Sequence, residues 1–324
     1  MKIVIETTVF AGQANTLALI NIGYWALRGR HRIIVEDDAA PLFLSWLDGL
    51  NEVMRSDWRT IMNDSYQREA LEPAKRAFYI APDQLTDWDR TPPRLNITDA
   101  VRFVSLPFHI LLEDGVSDRN FLLKMATAGQ RKALISRQAD NEVIFEHGGG
   151  IGSMIRTVTA MQHDHPSRLC SWAMFDSDAL QPTRPSSQSE LLRQRCVEVQ
   201  IPHHQLTRRS IENYLPKNAI RIWAYIQKSQ REARFLALLE LNNDQRHHYN
   251  FKQGFAGDED RPAPGAGELY NNLSAQAVAA LERGFGPNIG DLFDGETVTE
   301  QDLRRDGGWS EMNPVITELI ALLR

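Results

Sequence analysis

The sequence predicts an α/β protein: a parallel sheet with helices on both faces, preceded by an N-terminal α/β region and followed by a helical C-terminal region. Three observations carry that prediction. Between residues 106 and 216, short apolar runs alternate with helix-like stretches, as strands joined by helical crossovers do. The runs are apolar enough to be buried on both faces. Each of the first three then turns acidic at its end.

The elements follow in order. Residues 2–5 read as a strand and 42–54 as a helix, and the polar stretch 83–96, near Pro82, Pro92 and Pro93, reads as a loop closing a first region, 1–105. Residues 108–112 are the next strand. Ser117 is placed to cap a helix over 118–128 that stops at Gly129. A strand over 142–145 leads to the turn His147-Gly148-Gly149-Gly150 and a helix over 153–161. A third strand, 168–175, runs into Asp176-Ser177-Asp178. A helix around 189–195 and a fourth strand, 196–201, complete a sheet domain over 106–216. Residues 217–324 read as helices over 220–241, 275–283 and 313–323, interrupted by a Gly/Pro/acid loop at 257–267. They are expected to pack on the sheet domain.

Composition narrows the function classes. With 324 residues and 42% hydrophobic content the chain can bury a substantial core. Its net charge of −6 excludes indiscriminate attraction to nucleic acid, so such a ligand would need a local basic strip or bound cations. Two cysteines, Cys170 and Cys196, without CxxC spacing argue against a disulfide scaffold or zinc site and fit a reducing cytoplasm. No run of 18 apolar residues and no signal-type h-region occurs. A cytoplasmic protein with no membrane partner is expected. No repeat is visible at periods of 20–50 residues.

Ligands of parallel sheets sit outside the carboxyl ends of the strands. Here the acids fall at those ends: Glu113 and Asp114, then Glu146, then Asp176 and Asp178. Carboxylates gathered at one point raise one another's pKa unless a cation joins them, and a hard divalent ion, Mg²⁺ or Mn²⁺, suits oxygen ligands. In an extended segment Asp176 and Asp178 would point the same way and share one cluster. One or two such ions can activate water and stabilise a leaving oxygen in phosphodiester cleavage. Position alone leaves Glu113, Asp114 and Asp118 as alternatives in one loop, and a lone DxD is as often a cap or a solvated loop.

The run Ile110-Leu111-Leu112-Glu113-Asp114-Gly115-Val116-Ser117-Asp118 resembles the opening motif of a Toprim domain. Phe175-Asp176-Ser177-Asp178-Ala179, 63 positions on (176 minus 113), is similar to its DxD motif. Gly148-Gly149-Gly150 lies between them. Ile211-Glu212-Asn213-Tyr214-Leu215 resembles the ENYL element of Toprim nucleases of the overcoming-lysogenization-defect (OLD) class and related anti-phage defence proteins. Tyr249-Asn250-Phe251-Lys252-Gln253-Gly254-Phe255 resembles a lysine motif of the same group. The resemblance covers about 106 to 290 and implies a Toprim-type, Rossmann-like fold and a Mg²⁺- or Mn²⁺-dependent endonuclease acting on nucleic acid, DNA before RNA. It implies Glu113 as acid/base or metal ligand, Asp176 and Asp178 as metal ligands, Glu212 as a second-metal ligand and Lys252 as a cation steadying phosphate. The family places Gly directly after the Glu; Asp114 intervenes here, and Glu113 is favoured. OLD-class enzymes carry or pair with an ATPase. This sequence has no GxxxxGK[ST] loop, so an ATPase partner would be a separate chain. A homo-oligomer is also compatible with the sequence.

Plainer readings stand beside these. Glu212 suits the first turn of a helix, Lys252 a solvated surface, and Gly148–Gly150 either packing or a phosphate. Arg208 and Arg209 read as a solvated basic pair within reach of a phosphodiester backbone. His147, His163, His165, His203, His204, His247 and His248 lack ligand spacing and read as surface or loop residues. The acidic run 36–38 mimics the opening motif but lies 112 positions (148 minus 36) before the glycine turn, so it is set aside. Two other functions fit in outline: a receiver-like domain that accepts phosphate, and a non-catalytic nucleic-acid-binding adaptor.

Overall fold

A computed structural model describes residues 1–82, 85–226, 230–258, 266–306 and 308–323. The chain forms two compact units, Met1–Phe108 with Glu318–Arg324, and His109–Thr317. Residues 217–317 thus belong to the same unit as the acidic strands rather than forming a third part. Among the described residues no helix is long and apolar enough to cross a membrane.

The first unit holds β1 (Lys2–Ile5), β2 (Arg32–Val35), β3 (Ala77–Ile80) and β4 (Arg94–Leu95), all parallel, in the order β2-β1-β3-β4. Ile3 and Ile5 of β1, Ile33 and Val35 of β2, and Phe78 and Ile80 of β3 are buried. Helix α1 (Thr16–Leu27) connects β1 to β2. The single helix expected over 42–54 is two helices, α2 (Pro41–Gly49) and α3 (Glu52–Leu71). The break falls where the Asn51 side chain accepts the Met54 N–H and starts the second helix. Asn96 caps α4 (Ile97–Ser105) in the same way. The acidic run 36–38 follows β2 and belongs to this unit, whereas the glycine turn belongs to the second.

The second unit repeats the strand order with β5 (Phe108–Leu112), β6 (Val143–His147), β7 (Ser171–Phe175) and β8 (His203–Gln205), arranged β6-β5-β7-β8. β5 and β7 run parallel, with Leu112 opposite Met174, and β7 and β8 run parallel, with Ala173 opposite His203. On one face α7 (Ile151–Ala160) and α9 (Ser187–Val199) lay Ile151, Met154, Val158, Leu192, Cys196 and Val199 on Leu111, Ala173 and Phe175. After β5 the chain passes through α5 (Ser117–Met125) and α6 (Ala128–Ala139), and then to β6.

Several expected bounds move, each for a local reason. The helix over 118–128 ends at Met125. Gly129 does not stop it but lies inside α6, which Thr127 and Gln130 open with a reciprocal capping box. The expected strand 196–201 is instead the end of α9. Cys196-Val197-Glu198-Val199 alternates like a strand, yet Leu192, Cys196 and Val199 recur at helical spacing on the buried face. Gln200 closes α9 in the left-handed region (φ 63°), and the fourth strand is His203–Gln205. Arg168 belongs to α8 (His165–Leu169), capped by Asp164, so β7 begins at Ser171.

C-terminal to β8 come α10 (Lys217–Ile226), α11 (Gln230–Glu240), α12 (Asn243–His248), α13 (Ala266–Leu269), α14 (Ala275–Leu281), α15 (Glu300–Arg305) and α16 (Trp309–Leu323). The helix expected over 220–241 is therefore described as two segments, with 227–229 outside the described residues. The loop expected over 257–267 falls largely on 259–265, and part of the loop over 83–96 on 83–84. Both stretches are likewise outside them.

Candidate functional site

In the order β6-β5-β7-β8 the chain leaves β5 toward one side of the sheet and later returns to its other side. The carboxyl ends of β5 and β7 therefore border the crevice where connections diverge. Glu113 follows β5 and Asp176 follows β7. The Glu113 carboxylate accepts the Asp176 backbone N–H, and its Oε2 is buried without a hydrogen-bond partner. Burial first, then the Asp178 charge, push the Glu113 carboxyl up to about 7.

Asp176 Oδ1 accepts the Ile211 N–H at 3.2 Å, and its carbonyl accepts the Ser189 hydroxyl at 2.6 Å. Burial, and then the charges of Glu113, Asp118, Glu212 and Asp178, hold its carboxyl well above the usual range. The segment is not the extended DxD that the sequence suggested. Asp178 stands in the left-handed region (φ 50°), its N–H bonded to the Arg209 carbonyl at 2.8 Å. The Ser177 hydroxyl donates to the Arg208 carbonyl at 2.8 Å. An irregular segment, held from residues 208–211, thus presents both acids. A non-glycine residue at such a φ is strained, and strain of this kind concentrates at functional sites.

Glu212 lies on a single 3-10 turn, Ile211–Tyr214, not in an α-helix, and is 1% exposed. Its Oε1 pairs with Lys252 Nζ at 3.1 Å, while Oε2 is buried without a hydrogen-bond partner. The rest of the ENYL element fixes it. Asn213 Nδ2 donates to the carbonyls of Arg246 (2.8 Å) and Tyr249 (2.9 Å), and the Tyr214 hydroxyl to Glu311 Oε2 (2.7 Å). Lys252 sits on a loop bonded along its backbone, with the Phe285 N–H on the Phe251 carbonyl and the Gly286 N–H on its own. Burial opposes its charge, but Glu212, Asp176 and Asp118 outweigh burial and raise its pKa to about 12.

Asp118 is the member that sequence reasoning left as one of three loop alternatives. It is buried, its Oδ2 accepts the Asp114 N–H at 2.8 Å, and burial together with Glu113 and Glu212 pushes its carboxyl to about 8. Asp114 is exposed and engaged elsewhere. Its oxygens accept the Val116 N–H and the Ser117 hydroxyl at the start of α5, which lowers its pKa. The signal in the sequence was helical spacing: Asp118 is three residues before the buried Phe121, on the inward face of α5.

Other expectations change. In the glycine turn, close packing singles out Gly148, while Gly149 and Gly150 take positive φ (70° and 83°). The Gly148 N–H donates to the Leu112 carbonyl (2.6 Å) and the Gly150 N–H to the Glu113 carbonyl (3.3 Å), and a Cβ at 148 would stand 2.8 Å from the Leu112 oxygen. Arg208 and Arg209 are buried, not solvated. Arg209 grips Asp258 through two nitrogens at 2.9 and 2.7 Å, and Arg208 donates to the Asn213 carbonyl and lies 4.5 Å over the Tyr214 ring. Nor are the histidines all peripheral. His248 is buried against the Ala179 carbonyl, and His203 and His204 lie on β8, the latter on Glu311 at 2.9 Å. His147 Nδ1 accepts the Gly115 N–H.

Glu113, Asp118, Asp176, Asp178, Glu212 and Lys252 thus interact as one set, five carboxylates against one ammonium. Among the described residues no three His, Cys, Asp or Glu side chains are disposed to hold an ion as they stand. The donor chemistry nonetheless fits a hard divalent cation: every donor is a carboxylate oxygen, two of those oxygens are buried and unbonded, and three of the carboxyls are protonated more readily than usual. No family model, curated protein or solved structure matches this chain.

Proposed function

We propose that the protein is a divalent-metal-dependent nuclease of the Toprim type, resembling the OLD class. In this reading it cleaves phosphodiester bonds in nucleic acid, DNA before RNA, as an anti-phage defence effector that pairs with a separate ATPase. The observation that carries the reading is the convergence of Glu113, Asp118, Asp176, Asp178 and Glu212 where β5 and β7 end, with a single lysine among them.

Glu113, Asp176, Asp178 and Glu212 would hold Mg²⁺ or Mn²⁺, which when bound supplies an activated water and a positive partner for the leaving oxygen. The chain's own groups divide the remaining work. Glu113, its carboxyl raised to about 7 by burial and neighbouring charge, would serve as the acid/base where it stands off the ion, or as a ligand where it binds it. The Ile211 N–H orients Asp176, and the Arg209 carbonyl orients the backbone of Asp178. Lys252, half exposed beside a buried Glu212, is placed to steady phosphate charge.

Incubating plasmid, linear duplex, single-stranded DNA and tRNA with Mg²⁺ or Mn²⁺, against EDTA, tests this. Cleavage should require metal and vanish in Glu113→Gln and Asp176→Asn; equal cleavage by both variants would refute it. The lack of a preformed ion-binding set among the described residues favours one other reading, a non-catalytic nucleic-acid-binding adaptor. Calorimetry that detects no Mg²⁺ or Mn²⁺ binding would select it. The receiver-like alternative predicts phosphate uptake from a small phosphodonor.

A further inference from the structure

The 3-10 turn Ile289–Phe293, which no motif singled out, meets the acidic set through one glycine. Gly290 is not among the positive-φ residues, so conformational freedom does not account for it. Space does. A Cβ at 290 would lie 3.0 Å from Glu212 Oε1 and 3.8 Å from its Cδ and Cγ. That oxygen is the one paired with Lys252.

Both sides are enclosed. Glu212 is 1% exposed, and Ile289 and Phe293 are buried at the two ends of the turn. The Phe293 ring packs 5.1 Å from Phe121, and Phe121 packs 5.1 Å from Tyr214, two residues along from Glu212. The turn and the segment bearing the acid are therefore fastened to the same ring. In a close-packed interior, an added methyl is accommodated by moving its softest neighbour. Here that neighbour is the Glu212 carboxylate.

We propose that Gly290 is a positioning residue for the acidic site, its missing side chain setting where the Glu212 carboxylate stands and thereby its pairing with Lys252. The consequence for metal affinity rests on the metal-site reading above, whereas the steric coupling between 290 and 212 does not.

The test is a cycle of Gly290→Ala, Glu212→Asp and the double variant, with Gly295→Ala as control, since a Cβ there would meet nothing nearer than 3.5 Å. Melting in EDTA and Mn²⁺ affinity by calorimetry are the readouts. Gly290→Ala should weaken Mn²⁺ binding by about tenfold or more, as changes just behind metal ligands do. The double variant should bind Mn²⁺ more tightly than the two single effects combined predict, because the shorter acid withdraws from the new methyl. Gly295→Ala should match wild type. If Gly290→Ala fails to fold, Gly290→Ala with Glu212→Ala removes the group that the methyl meets and should fold. Additive effects in both readouts overturn the proposal, as does a double alanine variant that stays unfolded while Glu212→Ala folds. Wild-type protein that binds no Mn²⁺ would overturn the metal reading alone, and the melting cycle would still decide the coupling.

Discussion

Removing the Glu113 charge should make the protein more stable at alkaline pH. Burial and the neighbouring carboxylates raise this carboxyl to about 7 in the folded chain, against an ordinary 4.5. Below pH 4.5 the group is protonated whether the chain is folded or not, and it contributes no loss. As pH rises toward 7 the unfolded chain ionises first, and stability falls by about 1.4 kcal/mol per pH unit. The loss totals about 3 kcal/mol once the folded group also ionises, a ceiling because the neighbouring acids share it. Glu113→Gln keeps the shape and an acceptor for the Asp176 N–H, and gives the site two donors facing acids. In EDTA at pH 8 it should melt above wild type by up to about 6–12 °C, taking roughly 2–4 °C per kcal/mol for a unit of this size. At pH 4.5 the two should coincide. Differential scanning calorimetry at both pH values measures this. A variant that melts at or below wild type at pH 8 would refute the claim that like-charge repulsion and burial dominate the site.

Three further outcomes follow from the same geometry. Mn²⁺ at about a thousand times its Kd should reverse that order, stabilising wild type by about 4.1 kcal/mol and leaving Glu113→Gln nearly unmoved; thermal shift against Mn²⁺ concentration reads it. Asn213→Ala removes both bonds to the Arg246 and Tyr249 carbonyls and should cost about 2–3 kcal/mol in urea denaturation, displacing Glu212 with it. Glu311 is the opposite case to Glu113. Burial would raise its carboxyl, but donors from His204, Thr207 and Tyr214 overcome burial and lower it to about 2. Its stabilisation is therefore present above pH 4.5 and lost as pH falls toward 2. Glu311→Gln should flatten the stability curve below pH 4.5 and leave the Glu113-dependent fall between pH 4.5 and 7 unchanged.

Sequence alone determined the elements whose signal is local. β1 and β5 fall where their apolar runs place them, because a buried strand must be apolar whatever surrounds it. The positions of Glu113, Asp176 and Asp178 at strand ends were legible for the same reason. Tertiary structure decided what depended on partners distant in the chain. Alternation around Cys196 resembled a strand until Leu192 and Val199 joined it on one helix face against β7. Asp118 and Asp114 were indistinguishable by type and spacing, and only packing turned one into the acidic set and left the other to hold the Val116 N–H and the Ser117 hydroxyl. Arg208 and Arg209 looked solvated because nothing local announces Asp258 or Tyr214. The shared β2-β1-β3-β4 and β6-β5-β7-β8 orders left no repeat in the sequence, since strand order is set by crossovers that many unrelated sequences can make. Gly290 is the extreme case. A glycine outside any motif reads as loop composition until the fold brings a buried carboxylate to within 3.0 Å of where its side chain would be.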